Sequence, residues 1–374
     1  MARARILIVD DEPAMLRSVE RVLAPEHDVR GARSAQQGLE IAREFHPELA
    51  LLDVRMPDRD GFALMAELKR EQPDLDVILM TGSVHDPDSR LIRAIRERAF
   101  YFLYKPFDRD VLRTLVERCL EARRLTDENR RSMERMASEL DAARSFQRSL
   151  LPGAESRVGP FRITARYLPS AELGGDFYDL ADAGGGDLAL LVGDVSGHGV
   201  SAAMLTASLK LAFRSASSSG YAPDDVIRRV AESLAVFGPR RFVSALAARI
   251  SARDGGVVYV NAGHPPAARV GRDGTCHWLE STAPIVHPVL EVRSWGQGHD
   301  TLGPGERLVL YTDGLIEAHG ADGPFATERL EAELQAATRA GREPVAAVLD
   351  RLDQFTGGRP LEDDVALVAV TRDG

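Results

Sequence analysis

Five short apolar segments alternate with helical patterns over the first 107 residues, and this alternation restricts the fold more than any other feature of the chain. The apolar segments occupy residues 5–9, 27–32, 49–52, 77–80 and 101–103, and the helical patterns occupy residues 13–23, 34–45, 60–70 and 87–96. Strands that alternate with helices form parallel sheets with helices on both faces. We therefore predict an α/β domain with a doubly wound, five-stranded parallel sheet, in which ligands bind beyond the carboxyl ends of the strands.

Polar side chains follow four of the five predicted strands. Asp10 and Asp11 follow the first strand, Asp53 follows the third, Thr81 follows the fourth, and Lys105 stands near the end of the fifth. Three carboxylates in one crevice repel each other unless a cation lies between them, so the pattern predicts a Mg²⁺ site. A phosphoryl group on Asp53 would then meet the cation, the hydroxyl group of Thr81 and the ammonium group of Lys105.

Four motifs in this segment closely resemble those of bacterial response-regulator receiver domains: ILIVDDE at residues 6–12, LLDVRMPDRDG at 51–61, MTG at 80–82 and KPF at 105–107. The resemblance implies that Asp53 accepts a phosphoryl group from a partner histidine kinase. It also implies that Thr81 and Lys105 contact the phosphoryl group and that Phe102 is the switch aromatic. By the same resemblance, Mg²⁺ is bound by Asp10, Asp11, Asp53 and the backbone carbonyl of Arg55.

Residues 108–151 contain neither glycine nor proline, so they predict one long helical connector. Mostly apolar residues recur along it with alternating spacings of three and four, which is typical of a coiled coil. The simplest partner for this stripe is a second copy of the chain in a parallel homodimer. The alternative is a helix that packs back on its own domains. One core position of the heptad repeat is occupied in turn by Leu112, Cys119, Thr126, Met133, Leu140 and Gln147. The other is occupied by Leu115, Ala122, Asn129, Met136, Ala143 and Leu150.

The rest of the chain combines strand patterns with two pairs of helices. Strand-like segments lie at residues 161–167, 188–192, 245–250, 257–261, 267–270, 307–311 and 365–371. Helical patterns cover residues 201–217, 223–237, 326–340 and 344–355. Because several strands follow one another around the helix pairs, the pattern predicts layered sheets with helices outside, and not a repeat of strand–helix–strand units.

Four aspartates stand next to predicted strands in this part of the chain: Asp176, Asp194, Asp313 and Asp363. If the fold brings them together, their carboxylates favour Mg²⁺ or Mn²⁺ over zinc, which prefers histidine and cysteine ligands. Two such ions could activate a water molecule and hold a phosphoryl group. His198, four residues after Asp194, is a candidate proton carrier. Each motif alone also has a simpler interpretation as a turn, since Asp-Gly is a common turn sequence.

Five motifs occur in an order that resembles the SpoIIE/RsbU-like branch of the PPM-type serine/threonine phosphatases. They are GGDFYD (174–179), GDVSGHG (193–199), NAGHPP (261–266), YTDG (311–314) and LEDDVALV (361–368). The resemblance implies an α-β-β-α layered fold with two Mn²⁺ or Mg²⁺ ions. Asp194 would bridge the two ions, and the carbonyl of Val195 would bind one of them. Asp313 and Asp363 would complete the shell of the first ion, and Asp176 would bind a metal directly or through water.

Two histidines belong to these motifs. By resemblance, His198 is the general acid that protonates the departing serine or threonine oxygen. The role of His264 stays open between a structural function and a function in the site. The arginine-finger-like phosphate binder of some eukaryotic relatives has no clear counterpart in this sequence, so the contacts with the substrate phosphate stay open as well.

The two resemblances together imply a two-component response regulator with three parts. Residues 1–121 would form the receiver, residues 108–151 a linker helix that overlaps the last receiver helix, and residues 152–374 the phosphatase. Phosphorylation of Asp53 would control a metal-dependent protein serine/threonine phosphatase, whose substrate would be a phosphorylated STAS-type anti-sigma factor antagonist in a partner-switching pathway. The alternative is a non-enzymatic adaptor that binds or sequesters a sigma-factor regulator under receiver control.

The bulk composition excludes several other classes of protein. The net charge of −10 and the lack of an evident basic helix-turn-helix face argue against nucleic-acid binding. Cys119 and Cys276 are too few for a disulfide framework, which fits a reducing compartment. No apolar segment has the length of a signal peptide or a membrane span. We therefore expect a cytoplasmic protein that does not enter a membrane.

Overall fold

A computed structural model describes residues 3–82, 100–170, 173–197, 199–290, 292–321 and 323–374. The chain divides into two compact units, Met1–Arg135 and Met136–Gly374, called here the N-terminal unit and the C-terminal unit. The helix predicted at residues 87–96 and the candidate acid His198 lie outside the described residues.

The N-terminal unit contains a five-stranded parallel sheet. Its strands are β1 (Arg5–Val9), β2 (Asp28–Ala32), β3 (Leu49–Asp53), β4 (Asp76–Thr81) and β5 (Tyr101–Tyr104), and its first helices are α1 (Pro13–Leu23), α2 (Ala35–Phe45) and α3 (Gly61–Glu71). The strand order is β2-β1-β3-β4-β5, with every pair parallel. The predicted doubly wound α/β domain is therefore confirmed.

The central strands β1 and β3 are buried almost entirely because their apolar side chains alternate between two cores. Leu7 and Val9 of β1 pack with α2 and α3 in one core, whereas Ile6 and Ile8 pack with α1 in the other. Ser34 fixes the start of α2, since its Oγ accepts a hydrogen bond from the backbone N–H three residues later at 3.2 Å. The carboxyl ends of the strands are thereby held at one edge of a rigid sheet.

The connector is a single 42-residue helix, α4 (Arg109–Leu150). Its first turns belong to the N-terminal unit, where Leu112, Val116 and Cys119 are buried against the sheet. Leu112 and Cys119, two of the predicted coiled-coil positions, therefore face their own unit and not a partner helix. Farther along, Met133 and Met136 are 65% and 63% exposed, so the stripe in the middle of the helix is uncovered in a single chain.

The C-terminal unit is built on two antiparallel sheets. One sheet has five strands in the order β14-β11-β10-β9-β8, and the other has six strands in the order β13-β12-β15-β18-β7-β6; β16 and β17 form a separate hairpin. The strands are β6 (Glu155–Val158), β7 (Phe161–Leu168), β8 (Asp176–Asp182), β9 (Leu188–Val195), β10 (Val243–Ile250), β11 (Gly256–Ala262), β12 (Ala267–Val270), β13 (Cys276–Leu279), β14 (Gly298–Thr301), β15 (Arg307–Tyr311), β16 (His319–Gly320), β17 (Gly323–Pro324) and β18 (Val365–Arg372).

Helices cover the outer face of each sheet. Helices α5 (Val200–Ser215) and α6 (Pro223–Ala235), joined by a 3₁₀ turn (Ala216–Ser219), pack on the five-stranded sheet. Helices α7 (Asp313–Glu317), α8 (Ala326–Arg339) and α9 (Pro344–Thr356) pack on the six-stranded sheet. Apolar side chains of both sheets fill the space between them, so the predicted α-β-β-α layering is confirmed. Among the described helices, none has both the length and the apolar character that a membrane span needs.

The structure differs from the predicted strand boundaries at two candidate ligands. The sequence places Asp176 in a bend before a strand, whereas Asp176 is the first residue of β8. The sequence also ends the following strand at Val192, whereas β9 continues to Val195 and contains Asp194. The cause is the same in both cases, because hydrogen bonds from neighbouring strands hold these polar residues in extended conformation.

The substitution Met136→Glu should weaken self-association of the chain, because a charge at a core position of a coiled coil is buried without a partner. Analytical ultracentrifugation should show a dissociation constant raised by about tenfold or more. Ser138→Glu places the same charge two residues away, outside the predicted stripe, and should leave the constant unchanged. A monomeric parent chain, or equal effects of the two substitutions, would contradict the predicted homodimer.

Candidate functional site

The first candidate site lies at the carboxyl ends of β1, β3 and β5. Carboxylate oxygens of Asp10, Asp11 and Asp53 all lie within 4.8 Å of one another. The Nζ atom of Lys105 is 2.6 Å from Asp10 Oδ2 and 3.0 Å from Asp53 Oδ1. Thr81 is the buried last residue of β4, the strand next to β3. The structure thus brings together the three carboxylates and the ammonium group that the strand-end pattern singles out.

The electrostatics of this site favour a bound cation. Burial raises the pKa of Asp53, while Lys105 lowers it and the charges of Asp10 and Asp11 raise it further. Burial alone would lower the pKa of Lys105, but its hydrogen bonds with Asp10 and Asp53 outweigh that effect and raise it. Three carboxylates beside one ammonium group leave an excess of negative charge, and these oxygen donors fit Mg²⁺. A Cβ atom on Gly61 would lie 2.1 Å from the carbonyl oxygen of Asp53, so this close approach requires glycine.

Two other residues named by the receiver resemblance, Phe102 and Arg55, belong to the same unit. Phe102 is buried on β5, and its ring meets that of Tyr104 edge-on, with 5.3 Å between the centroids. Arg55 follows Asp53 by two residues, has an exposed side chain and forms an isolated β-bridge with Asp60. The switch role of Phe102 and the Mg²⁺-binding role of the Arg55 carbonyl stay predictions.

The second candidate site begins with two carboxylates on adjacent strands. Asp176 on β8 and Asp194 on β9 are direct partners in the antiparallel register. On its other side, Asp194 is opposite Ser244 of β10. Asp313 is the first residue of α7, and Asp363 stands two residues before β18. Two sheets and the loops between their strands therefore contribute to one group of acidic side chains.

Burial raises the pKa of Asp194 to about 7, and the charges of Asp313 and Asp363 contribute to the same shift. Burial also raises the pKa of Asp176 well above its ordinary value, with a further contribution from Asp194. Burial, Glu317 and Asp363 raise the pKa of Asp313. The charges of neighbouring carboxylates thus add to the effect of burial at Asp176, Asp194 and Asp313, and Asp363 is one of these neighbours for Asp194 and Asp313. In the described part of the chain only the aspartate triad of the N-terminal unit has all its carboxylate oxygens within 4.8 Å of one another, so this second group is more widely spaced.

Asp364, a residue of the LEDDVALV motif that is not among the predicted ligands, organises the loop that carries Asp176. Its buried carboxylate accepts hydrogen bonds from the backbone N–H of Gly175 at 3.0 Å and of Ser170 at 2.8 Å. A Cβ atom on Gly174 would lie 1.5 Å from Asp364 Oδ2, and one on Gly175 would lie 2.4 Å from the carbonyl oxygen of Val195. The Gly-Gly pair therefore allows Asp364 and the Val195 carbonyl, a predicted metal ligand, to approach the loop closely.

Thr312 joins the two sheets at the candidate ligands. Its hydroxyl group donates a hydrogen bond to Asp176 Oδ2 at 2.5 Å. The Oγ1 atom of Thr312 also accepts a hydrogen bond from the backbone N–H of Ala366 at 2.8 Å, and the backbone N–H of Thr312 donates to the Ala366 carbonyl at 3.0 Å. A buried residue next to Asp313 thus fixes the orientation of the Asp176 carboxylate.

His264 is buried, and its contacts are of the structural kind. Its Nδ1 atom lies 2.9 Å from the Oγ atom of Ser244, the residue opposite Asp194 in the sheet. Its backbone N–H donates to Asn261 Oδ1 at 2.9 Å. Burial lowers the pKa of His264 to about 3, so the imidazole is neutral near pH 7. These contacts support the structural alternative for this residue.

The end of the connector helix contacts the same region of the C-terminal unit. Gln147 is buried, and its side-chain amide donates to the Gly174 carbonyl at 2.7 Å and accepts from the Gly174 N–H at 3.3 Å. The Nζ atom of Lys210, on α5, donates to the Leu150 carbonyl at 2.5 Å and to Asp179 Oδ2 at 3.2 Å. The heptad pattern placed Gln147 on a partner-facing stripe, whereas its partner is the loop that precedes Asp176.

The family of the chain follows from comparison with known proteins. Residues 184–373 match the family model of stage II sporulation protein E (SpoIIE), which covers half of the chain, and residues 6–117 match the model of the response regulator receiver domain. The chain belongs to the SpoIIE family. Both motif resemblances are confirmed, because this SpoIIE-family member joins a receiver domain to a PPM-type phosphatase domain.

Curated relatives match parts of this SpoIIE-family chain. Phosphoserine phosphatase RsbP of Bacillus subtilis (strain 168) is 32% identical over 188 residues, which make up 48% of this chain and 45% of RsbP. The C4-dicarboxylate transport transcriptional regulatory protein DctD of Pseudomonas aeruginosa is 36% identical over 136 residues, or 34% of this chain and 28% of DctD. The chain therefore spans less than half the length of these relatives.

Two solved structures resemble the chain. The SiaA-PP2C domain of Pseudomonas aeruginosa has a TM-score of 0.57 at 20% identity, over 65% of this chain and 99% of that domain, and it supports the fold alone. The structure of the RsbU and RsbW domains of Rv1364c from Mycobacterium tuberculosis has a TM-score of 0.51 at 29% identity, over 59% of this chain and 62% of that one.

Without divalent cations, the stability that Asp194 contributes should fall as the pH rises. The pKa of Asp194 is about 7 in the folded chain, against about 4 in an unfolded chain. The folded chain binds the extra proton between these values. The contribution is therefore complete below about pH 4 and is lost as the pH rises through about 7. In EDTA, the melting temperature from circular dichroism should drop more between pH 6 and pH 8 for the parent chain than for Asp194→Asn, by a few degrees.

Mn²⁺ should restore the melting temperature of the parent chain at pH 8 because it neutralises the ionised carboxylates. The Asp194→Asn variant should gain less from Mn²⁺. If the two proteins show the same pH dependence in EDTA, the shifted pKa of Asp194 is refuted.

Proposed function

We propose that the chain is a response regulator in which phosphorylation of Asp53 controls a metal-dependent protein serine/threonine phosphatase. The observation that carries this proposal is the convergence of Asp176, Asp194, Asp313 and Asp363, from separate elements, in a unit that belongs to the SpoIIE family. The raised pKa values of Asp176, Asp194 and Asp313 indicate a site with an excess of negative charge, which a bound cation would neutralise. The adaptor alternative is disfavoured because all four carboxylates are present.

In the N-terminal unit, a histidine kinase would donate a phosphoryl group to a carboxylate oxygen of Asp53. Asp10, Asp11 and the carbonyl of Arg55, with Asp53 itself, would hold Mg²⁺, which supplies positive charge to the phosphoryl oxygens. Lys105, now 3.0 Å from Asp53 Oδ1, can bind an oxygen of the new phosphoryl group.

In the C-terminal unit, Asp176, Asp194, Asp313, Asp363 and the Val195 carbonyl would hold two Mn²⁺ or Mg²⁺ ions. These ions supply an activated water and charge stabilisation for phosphoryl transfer. Asp364 and Thr312 hold the carboxylate of Asp176 and its loop in place. His198 would then give a proton to the serine or threonine oxygen as the bond to phosphorus breaks.

The substrate would be a phosphoserine or phosphothreonine on a STAS-type anti-sigma factor antagonist, and its dephosphorylation would act through partner switching. Two similarities support this choice: one to a phosphoserine phosphatase, RsbP, and one to a structure that contains RsbU and RsbW domains. The acidic net charge of the chain, −10, is consistent with a protein substrate and not with nucleic acid.

The connector helix would carry the signal from the receiver to the phosphatase. In its last turn, Gln147 forms hydrogen bonds with the backbone N–H and the carbonyl of Gly174. The carbonyl of Leu150 accepts a hydrogen bond from Lys210 of α5. A displacement of this turn would therefore move the loop before Asp176 and the helix after Asp194 together. The functional state of the site would depend on the position of the helix.

Full-length protein with Mn²⁺ should hydrolyse p-nitrophenyl phosphate, and Asp194→Asn should reduce kcat/KM at least about 100-fold because it removes a shared metal ligand. The exposed Asp353, on α9, provides the matched control, and Asp353→Asn should leave the rate unchanged. Hydrolysis absent with every divalent metal tested would favour the adaptor, and full activity of Asp194→Asn would refute the metal site.

Beryllofluoride should change the phosphatase rate of the parent chain and have no effect on Asp53→Ala, because it mimics a phosphoryl group only on that aspartate. Gln147→Ala should keep metal-dependent hydrolysis but lose most of the beryllofluoride response, since it removes the two contacts with Gly174. Ser145→Ala, at an exposed position on the same helix, should respond like the parent chain. An unaltered response in Gln147→Ala would exclude this route of transmission.

A further inference from the structure

A short loop between α6 and β10 holds the segment that follows Asp194. The guanidinium group of Arg241 donates from Nη1 to the Ser196 carbonyl at 2.5 Å and from Nη2 to Ser201 Oγ at 2.6 Å. The next residue, Phe242, donates its backbone N–H to Ser196 Oγ at 2.9 Å and accepts from the Ser196 N–H at 3.0 Å. Arg241 therefore lies on the described part of the segment between Asp194 and α5.

Arg241 is a half-buried cation whose described partners are neutral. Within the described ranges, its guanidinium group forms no ion pair with a carboxylate, and both of its hydrogen bonds go to uncharged oxygens. Most other half-buried basic side chains of the C-terminal unit do have an acidic partner; Arg249 and Arg269, for example, bind Asp187 and Asp300. An arginine at the edge of an acidic site, without such a partner, can accept an anion from outside the chain.

Two glycines place this guanidinium group close to the candidate metal ligands. A Cβ atom on Gly175 would lie 2.9 Å from Asp194 Oδ1 and 3.3 Å from the Gly197 carbonyl oxygen. A Cβ atom on Gly197 would lie 2.1 Å from Arg241 Nη1. Gly197, with a φ of +93°, therefore has Arg241 against its own Cα and Gly175, which lies against Asp194, beside its carbonyl oxygen.

We propose that Arg241 is a phosphate-binding residue, which donates hydrogen bonds to non-bridging oxygens of the substrate phosphoryl group and of the inorganic phosphate left after hydrolysis. The inference rests on the proposed phosphatase function and supplies the phosphate contact that the sequence motifs leave open. Arginine has five N–H donors, and two hydrogen bonds to Ser196 and Ser201 leave others for a phosphate. Those two bonds also orient the guanidinium group before substrate arrives.

The test compares Arg241→Met with Arg240→Met in the full-length chain with Mn²⁺. Arg240 is the adjacent, exposed arginine of the same loop, so the pair matches the charge removed and the side chain introduced. The experiment measures KM for p-nitrophenyl phosphate, the inhibition constant of inorganic phosphate, the Mn²⁺ concentration for half-maximal activation, and phosphate binding by isothermal titration calorimetry.

Arg241→Met should raise KM, the inhibition constant and the calorimetric dissociation constant of phosphate by about 10-fold to 100-fold, as expected for loss of a charged hydrogen bond. The Mn²⁺ requirement should not change, and Arg240→Met should match the parent chain in every measurement. Arg241→Lys should recover part of the phosphate affinity because it restores the charge without the planar group.

Unchanged phosphate constants in Arg241→Met would overturn the inference and leave Arg241 as a support for the loop. A higher Mn²⁺ concentration for half-maximal activation that accounts for the whole effect would overturn it as well. A different result, the absence of any hydrolysis by the parent chain, would refute the proposed phosphatase function but not the inference about Arg241. In that case calorimetry still decides the role of Arg241, since phosphate binding needs no turnover: a difference between the two variants supports the inference and equal binding rejects it.

Discussion

Repulsion between buried carboxylates is the constraint on which both units depend. Like charges opposite each other in a sheet are destabilising, yet Asp176 and Asp194 are direct partners on β8 and β9. The N-terminal unit meets the same problem with an internal cation, Lys105, bonded to two of its three aspartates. Across the described residues of the C-terminal unit, no lysine or arginine is paired with Asp176 or Asp194, and only neutral donors such as the Thr312 hydroxyl assist. A basic side chain therefore offsets part of the negative charge at the first site, whereas no described basic side chain does so at Asp176 and Asp194.

The sequence predicted the parts of these sites that follow from local patterns. Parallel strands end at one edge of a sheet, so Asp10, Asp53 and Lys105 had to meet once the alternation of strands and helices was recognised. Asp364 is different, because its contacts with Ser170 and Gly175 span 194 and 189 residues of chain, and no local pattern contains that information. Strand β8 was missed since acidic residues at every third position hide its two-residue alternation. The unpredicted strands β6, β13 and β14 are edge strands, whose exposed faces weaken the apolar signal.

The heptad pattern of the connector arises from several different contacts along the same helix. Its first positions, Leu112 and Cys119, are apolar because they complete the core of the N-terminal unit. Gln147 occupies a core position because its amide matches the N–H and C=O groups of one glycine. The middle of the helix, at Met133 and Met136, is exposed, and its stripe can therefore contact a partner. Sequence spacing could not separate these three causes, since each needs the same face of a helix.

Gly174 connects these constraints, because its loop is held from two sides. On one side, Asp364, the residue directly before β18, packs so closely that no side chain fits on Gly174. On the other side, Gln147 satisfies both polar groups of the same glycine from the connector helix. Loss of those bonds would leave a buried amide unpaired, at a cost of about 1–3 kcal/mol. A shift of the connector helix must therefore either move the loop of Asp176 with it or break these hydrogen bonds, which is unfavourable. This difference in free energy couples the helix to the acidic site.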